Sequence, residues 1–96
     1  MRVAYHPAVQ RDVNRILRHY DRISPRLGDA FWEELLATIE VAATVPQRFH
    51  PVDRGRRRAN LKRFPYHILY RILAQGIRVV VVRHHERHPS YGGQRI

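Results

Sequence analysis

Residues 67–84, HILYRILAQGIRVVVVRH, carry the clearest structural signal in this 96-residue chain. Apolar and polar residues alternate from His67 to Leu73, and this alternation predicts a β-strand with one face against a core. Ala74-Gln75-Gly76 is typical of a tight hairpin turn. A second strand is predicted over residues 77–84, where four successive valines indicate a central strand buried on both faces.

A third strand is predicted just before this hairpin. Within residues 56–62, Arg57, Ala59 and Leu61 alternate with more polar residues. Residues 46–55 contain two prolines and a glycine, and this composition predicts the loop that leads into the strand. Three strands joined by short connections favour an antiparallel sheet.

The first half of the chain predicts a short strand followed by two helices. Residues 2–5 alternate and end at His6-Pro7, where proline can take the first helical position. Residues 7–22 form an amphipathic pattern, with Arg11, Asp12 and Asn14 on the polar side. A second helix begins at Ser24-Pro25 and ends at Pro46. The apolar positions at helical spacing in the first helix are Val9, Val13, Ile16, Leu17 and Tyr20.

Together these elements predict an α+β fold in one domain spanning residues 1–96, with the order β-α-α-β-β-β. The two helices form a hairpin that packs on one face of the antiparallel sheet. The pattern leaves the position of the N-terminal strand in the sheet open.

Composition excludes several classes of protein. The chain has no cysteine, which rules out disulfides, thiolate metal sites and a cysteine nucleophile. Its longest apolar run, Val79–Val82, is far shorter than the roughly 20 residues of a membrane-spanning helix. No signal-peptide pattern is present at the N-terminus. We therefore expect a cytoplasmic protein without a membrane partner.

Net charge indicates the kind of partner. Lys and Arg total 18 against 8 Asp and Glu, for a formal charge of +10. Most of this charge lies in residues 49–96, where eleven basic and two acidic residues give +9. Such an excess predicts binding to a polyanion, either a nucleic acid or an acidic protein segment.

Four segments in order resemble the RelE/ParE superfamily of toxins from bacterial type II toxin-antitoxin systems. They are Tyr5-His6-Pro7, Ile23–Gly28 at the helix junction, Lys62–Tyr66 leading to Tyr70-Arg71, and His84–Tyr91. The resemblance implies a toxin that is neutralised in a hetero-oligomer with a cognate antitoxin. An acidic antitoxin segment that folds on binding would suit the basic chain.

The superfamily contains two activities. The Phe64-Pro65-Tyr66 segment and the His84–Tyr91 ending are more similar to ParE-like members, which implies growth arrest by inhibition of DNA gyrase. The alternative is a RelE-like, metal-independent endonuclease that cuts mRNA on the ribosome. A third hypothesis, from another class, is a noncatalytic basic module that binds RNA.

The RelE-like alternative implies three catalytic residues. His67 occupies a position where RelE-like enzymes carry an arginine, Arg87 lies near their C-terminal catalytic arginine, and Tyr91 matches their C-terminal tyrosine. RNA cleavage without a metal needs a base, an acid and cations around the phosphate, and these side chains can supply them. Taken by itself, His67 fits a solvent-facing strand residue better than a catalytic one.

Strand alternation places His67, Leu69 and Arg71 on the face opposite Ile68. If the helices cover the Ile68 face, the other face is predicted to be open and cationic, although any single arginine there is also consistent with a solvated surface. The residues expected to form this face, for the target or the antitoxin, are Arg57, Lys62, Arg63, Arg71, Arg83 and His85.

Neither a metal nor a nucleotide cofactor is expected. His84 and His85 are adjacent on a strand and therefore point to opposite faces, which disfavours tetrahedral coordination together with His88. Gly92-Gly93 does not lie between a strand and a helix, so it does not match a phosphate-binding loop.

Overall fold

The computed structural model describes residues 2–96, which fold as an α+β domain with two helices and a five-stranded mixed sheet. The predicted order of strands and helices is confirmed, with boundaries that shift by about two residues, within the ordinary uncertainty of helix ends. The elements are β1 (Arg2–Tyr5), α1 (Val9–Ile23), α2 (Pro25–Thr44), a 3₁₀ turn (Pro46–Arg48), β2 (His50–Pro51), β3 (Arg56–Asn60), β4 (Tyr66–Leu73) and β5 (Gly76–His84).

The strands lie in the order β1-β5-β4-β3-β2. Strands β3, β4 and β5 pair antiparallel, as their short connections predict. Strand β1 joins the other side of β5 in parallel, from Arg2 opposite Gly76 to Tyr5 opposite Val79. Strand β2 is a two-residue addition inside the predicted loop. The sheet is therefore mixed, and β5 is a central strand.

The helical hairpin covers one face of the sheet, which we call the helix face. Only Ser24 separates α1 from α2, so the helices run antiparallel. Phe31, Leu35 and Ile39 of α2 pack with Ile68 and Tyr70 of β4 in the main core. The predicted apolar stripes of both helices thus meet the predicted apolar face of the hairpin.

A β-bulge in β5 decides which way the four valines point. Leu69 pairs with Val81 and Tyr70 pairs with Val79, so Val80 is left without a partner residue in β4. Val79 and Val82 consequently join the main core on the helix face. Val80 and Val81 both join Leu69 in a second cluster on the opposite face. The prediction that β5 is buried on both faces is confirmed, and the bulge explains how four consecutive residues achieve it.

The face opposite the helices, which we call the helix-free face, is not open as the sequence predicted. Residues 85–96, the C-terminal segment, fold back over it, and Tyr91 packs on the Leu69–Val81 cluster. Gly92 adopts φ +73, and a Cβ there would lie 2.5 Å from a Val81 methyl carbon. Glycine therefore lets the segment lie directly on the sheet. The expectation of an open face was therefore wrong, because the C-terminal segment covers the second apolar cluster.

Within residues 2–96, no helix is long and apolar enough to cross a membrane.

Gly76 allows β1 to approach the start of β5. Its φ is +157, and a Cβ at this position would lie 1.8 Å from the Arg2 carbonyl oxygen. We expect Gly76→Ala to lower the free energy of unfolding by about 2 to 3 kcal/mol, because the backbone of β1 must move away. Urea denaturation would measure this, with the exposed neighbour Gln75→Ala as the control. Equal stability of the two variants would contradict the role given to Gly76.

Candidate functional site

The helix-free face and its covering segment are organised around the carboxylate of Asp12. This residue lies in the first turn of α1 and is 2% exposed. It accepts hydrogen bonds from the Val82 backbone N–H at 3.1 Å, the Tyr91 hydroxyl at 2.5 Å and Arg95 Nη1 at 2.6 Å. The placement of Asp12 on the polar side of α1 was therefore wrong, because the carboxylate points into the protein and is satisfied there.

The Val82 N–H needs this carboxylate because β1 is short. The parallel ladder ends at Tyr5 opposite Val79, and β5 continues beyond it. A backbone donor in this buried position requires a partner, which Asp12 provides. Arg95 also donates to the Val80 carbonyl at 3.2 Å, so the C-terminal segment is tied to the same strand. Burial would lower the pKa of Arg95, but its hydrogen bonds to Asp12 and Tyr91 raise it.

Arginines of the helix-free face hold the C-terminal segment by its carbonyl groups. Arg56 Nη1 donates to the Gly92 carbonyl at 2.8 Å. Arg83 Nη1 donates to the carbonyls of Pro89 and Tyr91 at 3.1 and 2.9 Å. These side chains are therefore structural ligands of the chain itself rather than a free cationic surface.

Arg56 is the most deeply buried of these arginines, with 0% exposure. It forms an ion pair with Asp53, with Nε 2.9 Å from a carboxylate oxygen. The hydrogen bond from Arg56 holds the pKa of Asp53 below its usual value, although partial burial opposes the shift. A buried guanidinium with both a carboxylate and a carbonyl partner can stay charged inside the protein.

A chain of hydrogen bonds links Arg83, His67, His85 and Arg58. Arg83 Nε donates to His67 Nε2 at 3.0 Å, so His67 must carry its proton on Nδ1. That proton is donated to His85 Nδ1, 2.9 Å away. Arg58 Nη2 lies 3.3 Å from the same His85 atom. The network thus assigns a neutral tautomer to each histidine, with the His85 proton on Nε2.

His67 is buried, which corrects the expectation of a solvent-facing residue. Only 1% of it is exposed, and its ring is nearly parallel to that of His85, with an interplanar angle of 9°. Burial, reinforced by the nearby charge of Arg58, lowers the pKa of His67 to about 3. Burial and Arg58 also lower the pKa of His85. His67 is therefore neutral at pH 7, and both of its ring nitrogens are engaged in hydrogen bonds.

Two of the three residues predicted for catalysis meet in a small cleft. Arg87 and Tyr91 line a cavity of about 210 Å³ together with Arg15 and His84, and His67 is not among its lining residues. The Arg87 guanidinium lies 4.1 Å from the centroid of the Tyr91 ring. The Tyr91 hydroxyl donates to Asp12 and receives a hydrogen bond from Arg15. Arg87 and Tyr91 are therefore close together, while His67 belongs to the separate hydrogen-bond chain.

The six residues expected on one basic face are divided between two sides. Arg71 and Arg83 lie on the helix-free face, and His85 joins them through His67. Arg57 instead pairs with Tyr70, which places it on the helix face, where it donates to the Phe49 carbonyl at 2.6 Å. Strand alternation explains this correction. Arg57 lies two residues from Ala59, so both side chains point to the helix face.

Lys62 and Arg63 lie in the turn between β3 and β4, against helix α2. Both backbone N–H groups donate to the Glu34 carboxylate, and Arg63 Nε also donates to it at 3.3 Å. Partial burial would raise the pKa of Glu34, but the hydrogen bonds from Arg63 and Lys62 lower it. These two cations therefore belong to the helix side of the molecule and not to the helix-free face.

Three arginines of the helix-free face were not among the predicted site residues. Arg56 and Arg58 have the strand parity opposite to Ala59, and Arg78 lies between Ile77 and Val79 of the main core. The same alternation that located Arg71 could have located all three. The sequence indicates the burial of Asp12 only weakly, through the position of this single acidic residue beside the apolar positions Val9 and Val13.

A second candidate surface is a groove between α2 and β3, which we call the α2–β3 groove. Its volume is about 550 Å³. Ala37, Val41 and Phe49 supply apolar surface. The charged lining residues are the basic Arg48, Lys62 and Arg63 and the acidic Glu33 and Glu34. Strand β2 pairs only with Arg57 and Arg58, so the edge of β3 beyond these residues has no strand beside it. An apolar groove beside an unpaired strand edge is a typical site for an extended peptide.

Metal coordination has no evident site. Among residues 2–96, no three His, Asp or Glu side chains are grouped so that they could hold a metal ion.

Comparison with known proteins identifies a family and solved structures with a similar fold. The family model described as "ParE toxin of type II toxin-antitoxin system, parDE" matches residues 3–89. A solved structure titled "Chromosomal ParDE TA system from P. aeruginosa" has a similar fold, with a TM-score of 0.76 and 17% sequence identity. The similarity covers 88% of this chain and 95% of that chain. A comparison with curated protein sequences finds no significant match.

The Asp12 network predicts a large effect of one substitution. Asp12→Ala leaves the Val82 N–H, the Tyr91 hydroxyl and Arg95 without their shared acceptor. We expect a loss of about 3 kcal/mol in the free energy of unfolding, the usual scale for breaking a buried pair. We also expect earlier proteolysis within residues 85–96. Exposed Asp29→Ala is the control, and normal stability and protection of Asp12→Ala would disprove the anchoring role.

The buried state of His67 predicts acid sensitivity. In the unfolded chain a histidine titrates near pH 6.5, whereas the pKa of His67 in the folded protein is about 3. Between these values the unfolded state takes up a proton that the native state excludes, so stability falls as the pH falls. From pH 7 to 5 the contribution of His67 is about 2 kcal/mol, at 1.36 kcal/mol per pKa unit.

The variant His67→Gln should therefore lose about 2 kcal/mol less than the wild type over this range. Exposed His50→Gln provides the control and should behave like the wild type. Urea denaturation midpoints at pH 7 and pH 5 measure the difference. If all three proteins show the same pH dependence, His67 is not held neutral by burial.

Proposed function

This chain belongs to the ParE toxin family of type II toxin-antitoxin systems, and we propose that it arrests bacterial growth by inhibiting DNA gyrase through binding. The observation that carries the choice against RNA cleavage is the engagement of both His67 ring nitrogens. Nε2 accepts from Arg83, and Nδ1–H donates to His85. No lone pair remains to accept a proton from a ribose hydroxyl.

The other residues of the nuclease alternative add to this argument. Tyr91 donates its hydroxyl proton to the buried Asp12 carboxylate, and its ring packs beside Leu69 and Val81. Arg87 is exposed and stacks on that ring. An arginine can stabilise a phosphate but does not transfer protons at neutral pH. Of the three residues predicted for catalysis, none is therefore a base or an acid that is free to act.

Neutralisation by an antitoxin is part of the proposal, and the α2–β3 groove supports it. An acidic and partly apolar segment could add a strand at the unpaired edge of β3. Its apolar side chains would cover Val41 and Phe49, and its carboxylates would meet Arg48 and Lys62 on the groove walls. The opposite charges would also speed association at low salt. We therefore expect a hetero-oligomer with the antitoxin on the helix side of the toxin.

Purified toxin should inhibit supercoiling of relaxed plasmid by gyrase, and added antitoxin should restore it. We expect His67→Gln to retain most of the inhibition, because the proposed activity needs no proton transfer by His67. Total RNA from cells that express the toxin should remain uncut at codon boundaries. The control is a gyrase reaction with Asp12→Ala. This variant should inhibit gyrase less, in proportion to the fraction of the protein that is unfolded.

Two results would replace the proposal. Transcript cleavage at codon boundaries that is lost in Tyr91→Phe would establish the RelE-like alternative. Inhibition of neither gyrase nor growth, together with RNA binding in vitro, would favour the noncatalytic RNA-binding module.

A further inference from the structure

The sheet register aligns three arginines on the helix-free face. Arg56 of β3 pairs with Arg71 of β4, and Arg71 pairs with Arg78 of β5. We call these three residues the arginine row. Adjacent strands lie about 4.8 Å apart, so each guanidinium stem has a like-charged neighbour directly across the ladder. Such cross-strand pairs of like charge destabilise a sheet unless other groups compensate.

Within the described residues 2–96, hydrogen-bond partners are found for the outer members of the arginine row. Arg56 is held by Asp53 and by the Gly92 carbonyl. Arg78 Nε donates to the Ile96 carbonyl oxygen at 3.1 Å, and its Nη1 reaches the Tyr5 carbonyl at 3.5 Å.

The central Arg71 differs from both neighbours. Its Nε is buried and has no hydrogen-bond partner among the described residues 2–96. Native proteins satisfy nearly all buried polar atoms, so an orphan donor at a cation calls for an explanation. A missing anionic partner explains both the orphan donor and the uncompensated charge.

The turn before β3 lies against Arg71 but supplies no free carboxylate to it. Gly55 lies so close that a Cβ there would be 3.2 Å from Arg71 Nη1. The carboxylate of this turn, Asp53, is already paired with Arg56. The charge of Arg71 is therefore not balanced from this turn.

We propose that Arg71, the partly exposed centre of the arginine row, contacts a phosphate of a nucleic-acid backbone. A planar guanidinium with unused donors suits a phosphate, which can accept two parallel hydrogen bonds. Arg56 is fully buried and held by the chain itself, so it adds positive charge beside Arg71 and does not touch the phosphate. The net charge of +10 supplies long-range attraction to the same polymer.

The position of the row favours nucleic acid over an acidic antitoxin segment. The α2–β3 groove lies on the helix side, whereas the arginine row lies on the opposite face of the sheet. An antitoxin segment in the groove would leave Arg71 accessible from the other side. The inference goes beyond gyrase inhibition, because it concerns contact with nucleic acid in the absence of any protein target.

Binding of the toxin to a fluorescent 20-base-pair duplex, measured by anisotropy without gyrase, tests the site. We expect Arg71→Gln to weaken binding about tenfold at low salt, as for loss of one charge-assisted contact. The slope of log affinity against log salt should become shallower by about 0.9. Arg18→Gln, which removes the same charge from the exposed surface of α1, is the matched control and should change affinity about twofold at most.

Stability separates a binding role from a structural one. Because Arg71 has an orphan donor and two like-charged neighbours, Arg71→Gln should raise the melting temperature of the free toxin by a few degrees, about 2 to 5 °C. If Arg71 binds a ligand and destabilises the free protein, its replacement should raise the stability of the free protein and lower the affinity for the ligand. Arg71→Lys, which keeps the charge but not the planar fork, should keep the salt slope and lose part of the affinity.

Three outcomes would overturn the proposal. The first is equal DNA affinity for Arg71→Gln and Arg18→Gln, which would mean that binding depends only on the net charge of the protein. The second is a lower melting temperature for Arg71→Gln with unchanged affinity, which would make Arg71 structural. The third is Arg71-dependent binding to a polyglutamate peptide but not to the duplex, which would indicate an acidic protein partner.

If Arg71→Gln fails to fold, the comparison of Arg71→Lys with Arg18→Lys decides in the same way. Gyrase is absent throughout, so failure here leaves the proposed function standing.

Discussion

The buried carboxylate of Asp12 is the interaction on which the rest of this structure depends. It joins the start of α1 to β5 and to the C-terminal segment, which lie 70 or more residues further along the chain. A charge in this environment is tolerable because several donors surround it, including the guanidinium of Arg95. The C-terminal segment is consequently a fixed part of the fold. It covers the Leu69–Val81 cluster, which would otherwise expose apolar surface on the helix-free face.

Much of the positive charge is used inside the molecule. Arg56, Arg83 and Arg95 bind carbonyls and carboxylates of the chain, and Arg57 holds the loop before β2. Arginine suits this role because it stays charged when partly buried and directs several donors from one planar group. A domain of 11.4 kDa has a small core, and such contacts supplement it. A charge of +10 is therefore a poor measure of how many cations are available to a partner.

The two faces of the sheet suggest a division of roles. On the helix side, the α2–β3 groove combines apolar surface with an unpaired strand edge, features that suit a protein segment. On the helix-free face, the central arginine of the row has a buried Nε without a hydrogen-bond partner in the part of the chain that the structure describes, a feature that suits a phosphate. The cluster around His67 has neither property, since its donors and acceptors satisfy one another. This self-sufficiency is consistent with a toxin that acts by binding.

The sequence by itself determined the element order, the helical hairpin, the β4–β5 hairpin and the family, because each depends on local periodicity, turn residues or short motifs. Only the tertiary structure decided that β1 joins β5 in parallel, that Val80 forms a bulge and that residues 85–96 cover the second face. These features arise from contacts between residues distant in sequence, and periodicity carries no information about them. His67 shows the difference most clearly. Strand alternation correctly placed it opposite Ile68, but whether that face was exposed or buried depended on a segment that begins 18 residues further along the chain and is held by a carboxylate on the first helix.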